Sequence, residues 1–426
     1  MKAHTRLVVI GGGPAGLFAA LSACAAFNAL SISATVTLLE RNTRLGLKLL
    51  ATGSGQCNLT QNASPEEMAT HYGDNGRFLL PVLKACPPAQ VMDWFSSWNL
   101  PLIVRDDGKV FPRSLRSQDV LRTLQERCIQ AGVEFQNESR VVSLNREPKT
   151  FLITLEHGAT LTADTVVIAT GGSSYPTTGS TGDGYLLAKT LGHTIVPPHA
   201  ALTGVLAPQS TLGVLSGISF TPAGLTLLTG TGKGRYWSGP LLITHTGLSG
   251  PLVINNSRYL ASGDEISICF LPHEDGRLRT PTEMESLLKH LISTQGSLQL
   301  QTILHQLGLP KAFITWVLQE SGVDGARKAA EVGKKQLLPL AQAIVATKLA
   351  ISLKGCLEKA MATAGGVALS EVNRKTMESL VVEGLYFAGE VLDIDGDTGG
   401  YNLQAAWSTG WAAGQAAAAR VGALPS

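Results

Sequence analysis

The sequence predicts an α/β protein whose parallel-sheet domain is opened by the N-terminal residues, interrupted by an insert and finished by the C-terminal residues. Three observations carry this. Leu7 to Ile10 is a short apolar run ending at glycines, the pattern of a buried parallel strand. An Ala- and Leu-rich helix over 15–29 and a second strand over 35–40 complete a βαβ unit around it. Strands of the same kind return at 165–168 and 384–388, each running into glycines, with sequence of different character between them.

Between the first two landmarks, residues 85–131 are expected to be mostly helical, including an amphipathic stretch over 117–130 with Arg and Glu on its outer face. Alternation over 133–156 predicts antiparallel strands. From about His193 the chain becomes short β-like runs divided by Pro and Gly, at 224–228, 241–244 and 265–271. Residues 281–350 are helical by period, with stops at Gly308, Pro310 and Gly322. The expected division is therefore 1–192, an insert over 193–354 with a β part (193–280) and a helical part (281–354), and a completing segment over 355–426.

Composition describes a well-packed globular chain rather than a disordered or fibrous one, with 44% hydrophobic and 15% charged residues. Its 46 glycines follow no period and gather in short clusters, which suits loops that approach a ligand closely. A formal charge of +2 argues neither for a nucleic-acid surface nor for an acidic partner, though a local basic patch stays open. The six cysteines form no Cys-x-x-Cys pair and no His set at zinc-ligand spacing, so no metal site is expected and a reducing compartment is. Leu7 to Leu39 carries no charge, but Gly11, Gly12, Gly13, Pro14 and Asn28 interrupt it, so a cytoplasmic protein with no membrane segment is expected.

GGGPAG at 11–16 matches G-x-G-x-x-G directly after a strand and at the start of a helix. Gly11 permits the tight turn, Gly13 lets backbone meet a pyrophosphate and Gly16 lets helix and strand pack closely, with Pro14 and Ala15 between them. The helix N-terminus offers N–H groups to the phosphate, and Glu40, closing the next strand, can accept from ribose hydroxyls. An ordinary glycine turn is the bland alternative.

Three further segments favour FAD over NAD. Residues 44–62 follow Glu40 and combine basic residues with the Gly53-Ser54-Gly55 loop, which can cradle phosphate and reach the isoalloxazine. Residues 163–172 are an apolar strand ending in Ala169, Thr170 and Gly171. Residues 384–410 run from a strand to Gly389 and Glu390, where the acid can bind the ribityl chain. A helix then begins near Gly400, where the N–H groups of Tyr401, Asn402, Leu403 and Gln404 can stabilise negative charge at flavin N1/O2. Arg41, Lys48, Cys57, Asn58, Val141 and Asp393 complete the expected cofactor-binding set.

The segments GSGQCNLT, TGGSSYPTTGSTGDGY, ITHTGLSGP, TAGGVALSEVNRKTMES and GLYFAGEVLDIDGDTGGYNLQAAWSTG together make the chain resemble the two-domain bacterial flavoproteins called aminoacetone oxidase-like or NAD(P)/FAD-dependent oxidoreductases. The resemblance covers essentially the whole chain. It implies a glutathione-reductase-like FAD-binding Rossmann domain interrupted by a β-barrel and a helical domain. Activities among such relatives include a dihydrouridine synthase of large-subunit ribosomal RNA, a bile-acid enone reductase and an amine oxidase, so it implies the cofactor better than the substrate. Many relatives carry Arg where this chain has Gln56 and Trp where it has Ala405.

If hydride passes from flavin N5 to an activated C=C, the adjacent carbon needs a proton from a general acid. Cys57 is the first candidate, or else a small residue packed against the flavin. Tyr401 can donate or stack; His245 can face the flavin or only hold structure; Tyr175 can line the pocket or pack its loop. GTGKGR at 230–235 lacks P-loop spacing and reads as a basic hairpin turn that an RNA backbone can contact. The expected activity is reduction of a conjugated C=C, with uridine of large-subunit rRNA leading. Oxidation of a small amine, enone reduction of a small metabolite and a non-catalytic flavin redox sensor are the alternatives. No second G-x-G-x-x-G appears, so NADPH or NADH is expected to bind transiently or not at all.

Overall fold

The computed structural model describes residues 5–207 and 211–423. Five strands form its central parallel sheet: β1 (Thr5–Ile10), β2 (Ala34–Leu39), β3 (Glu134–Gln136), β4 (Thr165–Ile168) and β5 (Leu385–Phe387), in the order β5-β4-β1-β2-β3. Leu7, Val9, Val166, Val167 and Phe387 are wholly buried, as near-continuous apolar runs must be when both sheet faces are covered.

Two Ala-rich helices cover one another beside the sheet, α1 (Pro14–Leu30) and α2 (Tyr401–Ala423). Their small residues allow close approach, since a Cβ on Gly414 would stand 2.1 Å from the carbonyl oxygen of Ala19. The Ser22 hydroxyl donates to the Trp411 carbonyl at 2.9 Å across the same contact. The last helix thereby completes the domain that the first strand begins.

The described chain divides into one unit running to Ala201 and resuming at Cys356, and a second, Leu202–Gly355. Residues 193–201, assigned from sequence to the insert, behave otherwise: Ile195–Ala201 pairs antiparallel with Ala362–Val367 of the first unit. No sequence period announces so distant a pairing. Residues 102–104 and 109–112, expected within a mostly helical stretch, form strands with Thr60–Gln61, because Pro101 and Gly108 break the helix and Ile103, Val104 and Val110 favour extension.

The second unit has its own core, with Leu225, Ile266, Ile268, Phe313 and Leu340 buried. Its seven-stranded sheet runs in the order 347–350, 265–269, 219–227, 236–243, 247–249, 205–206, 353–354. Both outer strands come from residues that the sequence placed in the helical part. Its first long helix, Pro281–Gln295, starts where expected, at a capping box of Thr280 and Glu283.

Candidate functional site

A cavity open to solvent lies in the first unit over the carboxyl ends of β1, β2, β4 and β5. Ligands of open parallel sheets bind at this end of the strands.

Backbone geometry makes the cradle. Gly11, at φ +110°, donates its N–H to the Leu39 carbonyl at 2.8 Å, and a Cβ there would stand 2.5 Å from the Ala169 carbonyl oxygen. A Cβ on Gly16 would lie 1.9 Å from the Gly11 carbonyl oxygen, so only glycine lets α1 start this close to β1. Gly13 is different: a Cβ there would meet nothing within 4 Å, because it faces the cavity. Gly13 caps α1 with no side-chain hydrogen bond, leaving the first N–H groups directed at the space a pyrophosphate would fill.

Glu40 is buried at the cavity's edge. Its Oε2 accepts from the Gly12 N–H at 2.8 Å, and its Oε1 from the Asn42 N–H at 2.8 Å and the Asn42 amide at 2.7 Å. A carboxylate has about four acceptor positions, so a ribose hydroxyl can still be received. Arg41 pairs with Asp183 at 3.2 Å, and Arg140 reaches the same carboxylate at 2.9 Å. Burial alone would raise the pKa of Asp183; hydrogen bonds from Arg140 and Thr181 and the charges of Arg41 and Arg140 outweigh it and hold it below the usual carboxylate range.

On the opposite wall, Lys48 Nζ meets Glu390 Oε2 at 2.5 Å and donates to the Ser174 hydroxyl at 2.7 Å. Glu390 Oε1 accepts from the Thr363 N–H at 2.7 Å. The hydroxyl of Thr170, on the cavity wall, is buried with no hydrogen-bond partner. Uncapped N–H groups, a glycine wall and one orphaned hydroxyl fit a bound flavin dinucleotide.

Residues 5–416 match the HI0933-like protein Rossmann domain. The chain belongs to the HI0933-like family. It is 32% identical over 421 residues to a 3-dehydro-bile acid delta(4,6)-reductase of Clostridium scindens, covering 97% of this chain and 99% of that protein. It is 30% identical over 416 residues to a ribosomal RNA dihydrouridine synthase of Escherichia coli, covering 96% of each. Among solved structures, a 3-ketosteroid-delta4-(5alpha)-dehydrogenase of Rhodococcus jostii aligns at a TM-score of 0.50 and 16% identity over 97% of both chains. The quinol fumarate reductase of Escherichia coli aligns at 0.51 and 16%, over 99% of this chain and 71% of that one. This HI0933-like chain is an FAD-dependent oxidoreductase of Rossmann type.

Within the HI0933-like fold, the expected cofactor residues fall into two groups. Gly11, Gly13, Pro14, Ala15, Glu40, Arg41, Lys48, Val141, Ala169, Thr170, Gly171, Gly389, Glu390, Asn402 and Leu403 stand on the cavity wall. Gly16, Gly53, Ser54, Gly55, Cys57, Asn58, Asp393, Gly400, Tyr401 and Gln404 do not. Gln404 is buried and spends its amide on Thr60, Cys86 and Ser408. Asp393 accepts from the Gly365 N–H at 3.0 Å, and a Cβ on Gly400 would meet the Thr60 backbone at 2.7 Å.

The turn after Thr52 is left-handed at Gly53, Ser54, Gly55 and Cys57, two of them residues that pay for a positive φ. Cys57 is fully buried, and burial pushes its thiol up to about 12 against a hydrogen bond with Thr52 that lowers it. The thiol is therefore held neutral. Arg105 donates to Gln56 at 2.9 Å, bringing a guanidinium to the position where the resemblance anticipates Arg. Tyr401 stacks on His71 at 4.2 Å, and burial raises its hydroxyl to about 12. His245 lies in the second unit, beside Leu212, Thr246 and Leu248.

Sequence reasoning missed Asn42, Arg140 and Asp183 on the wall, and the His71–Asp397 pair at 2.9 Å. A charge within the TGDGY segment was the one available signal.

Buried thiols set an alkaline limit. Burial raises Cys24 to about 11 and Cys57 and Cys86 to about 12, against 9.0 ordinarily. The unfolded chain gives up these protons first, so their contribution is whole below about pH 9 and declines as pH climbs towards about 12. Thermal midpoints should fall over that interval. A midpoint unchanged from about pH 8.5 to 10.5 would count against buried, protonated thiols.

Proposed function

We propose that this oxidoreductase reduces a conjugated C=C, and that its substrate is uridine in large-subunit ribosomal RNA, yielding dihydrouridine. The reading is carried by full-length similarity to an rRNA dihydrouridine synthase at 30% identity. FAD, when bound, supplies hydride at N5. The chain's own residues do the remainder: α1 and Gly13 bind the pyrophosphate, Glu40 takes ribose hydroxyls, and Lys48 with Glu390 fixes the far wall. Cys57 is the proposed proton donor to the carbon beside the one that receives hydride, a role that requires the turn over 52–57 to bring its buried thiol to the cavity. NADPH or NADH is the proposed transient electron donor, and the cytoplasm the proposed location. No helix among the described residues is long and apolar enough to cross a membrane.

A second reading, reduction of a small conjugated ketone, is favoured by the 32% identity to the bile-acid reductase. Mass spectrometry of rRNA from a deletion strain separates the two. Loss of one dihydrouridine, restored by the gene on a plasmid, supports the rRNA substrate; an unchanged dihydrouridine content removes it. Anaerobic bleaching of the purified yellow protein by NADPH or NADH identifies the donor in either case.

A further inference from the structure

We infer that the second unit carries a docking surface for single-stranded RNA, built on the 229–237 hairpin and the adjoining Arg258–Tyr259 turn. It rests on the rRNA reading above and names the surface that would hold that partner.

The hairpin's shape is set by the chain itself. Its flanking strands, Ser219–Leu227 and Tyr236–Ile243, pair antiparallel with Thr226 opposite Tyr236 and Leu225 opposite Trp237. Gly234 N–H donates to the Leu227 carbonyl at 2.8 Å, Leu227 N–H donates to the Arg235 carbonyl at 3.0 Å, and Thr229 receives the Glu265 N–H at 2.7 Å. Gly230 and Gly234 take the positive φ values that the tip needs. Lys233 and Arg235 are consequently held out, both exposed.

Three planar groups are layered beside them. The Arg235 guanidinium lies 4.1 Å over the Tyr259 ring, and Tyr259 stacks with Trp237 at 5.6 Å and 15°. Tyr236, on the other side of its strand, is 64% exposed. Cations that track phosphates, interleaved with rings on which bases stack, are what sequence-tolerant single-strand binding requires. Among the acids beside the hairpin, Asp264 is buried and accepts from Ala261 and Thr229. A lone basic turn or a lone ring pair would be ordinary. Here the basic tip and the Tyr259–Trp237 pair share the Arg235 side chain.

The test is fluorescence anisotropy of a labelled uridine-rich RNA oligonucleotide titrated with the FAD-loaded protein at several salt concentrations. Wild type should bind more weakly as salt rises. Lys233→Glu with Arg235→Glu should lose tenfold or more at low salt, and flatten the logarithmic salt slope by about 1.4, near 0.7 for each cation removed. Tyr259→Leu should weaken binding about tenfold at every salt concentration. Tyr236→Ser, at an exposed position, should weaken it without moving the thermal midpoint, which keeps the proposal testable if Tyr259→Leu folds poorly. Wild-type binding that all these variants retain would overturn the surface and leave the rRNA reading standing. Absence of binding by wild type would overturn the surface, while the dihydrouridine content of the deletion strain's rRNA judges the rRNA reading separately.

Discussion

Gly16→Val is expected to yield protein that is largely insoluble and, where soluble, colourless. The new Cβ would stand 1.9 Å from the Gly11 carbonyl oxygen and 3.1 Å from its carbon. Both are backbone atoms, tied through the Gly11–Leu39 hydrogen bond to the sheet. Relief requires α1 to move off β1, and α1 is the helix on which α2 packs. A loss of about 4 kcal/mol or more is the expected magnitude for an overlap with no soft neighbour. Gly13→Ala is the informative contrast. Gly13 has φ −80°, which any residue adopts, and open space around its missing Cβ. The apoprotein should keep its stability within about 0.5 kcal/mol. Its flavin affinity should nevertheless fall about tenfold, since the methyl enters space meant for the phosphates. Chromatography with flavin absorbance at constant protein concentration checks both. Wild-type flavin content in Gly16→Val would refute the close-packing account, and undiminished affinity in Gly13→Ala would refute the placing of the pyrophosphate.

Glu390→Ala should be the most damaging single change on the cavity's far wall. It removes at once the acceptor of the Thr363 N–H at 2.7 Å, of the Ser174 hydroxyl at 3.0 Å and of Lys48 Nζ at 2.5 Å. The two charged side chains are only 23% and 20% exposed, so water restores little of what is lost. Unpaired polar groups cost roughly 1–3 kcal/mol each and a stranded buried charge more, so a fall of about 3 kcal/mol is expected. Flavin should be lost on gel filtration as the wall loosens. Glu390→Gln keeps the shape and the acceptor for Thr363 while removing the charge, and should lose about half as much. Salt up to about 0.5 M should leave the difference intact, because pairs shielded from solvent are weakly screened. A Glu390→Ala protein within about 1 kcal/mol of wild type and still yellow would show that the pair is incidental.

The dinucleotide fingerprint was legible in the sequence because its requirements are local. Gly11, Gly13 and Gly16 answer to contacts made within one strand, one turn and one helix, and the short range of those contacts writes them as a spacing. The apolar runs at 7–10 and 165–168 likewise announced buried strands. Other features depended on partners far along the chain. The order β5-β4-β1-β2-β3 brings Ala388 and Gly389 to the cavity beside Gly11, and no local pattern encodes that order. Asn42 earns its place only when Thr178 arrives beside it, and Arg140 only when Asp183 does. Ile195–Ala201 left the expected insert because Ala362–Val367 offered it a pairing edge. Cys57 was readable as a thiol near the flavin loop, while its burial, which decides that it stays protonated, needed the packed structure. Conformation and periodicity are written residue by residue; sheet order, ion-pair partners and burial arise from competition among all segments at once, which only the folded chain resolves.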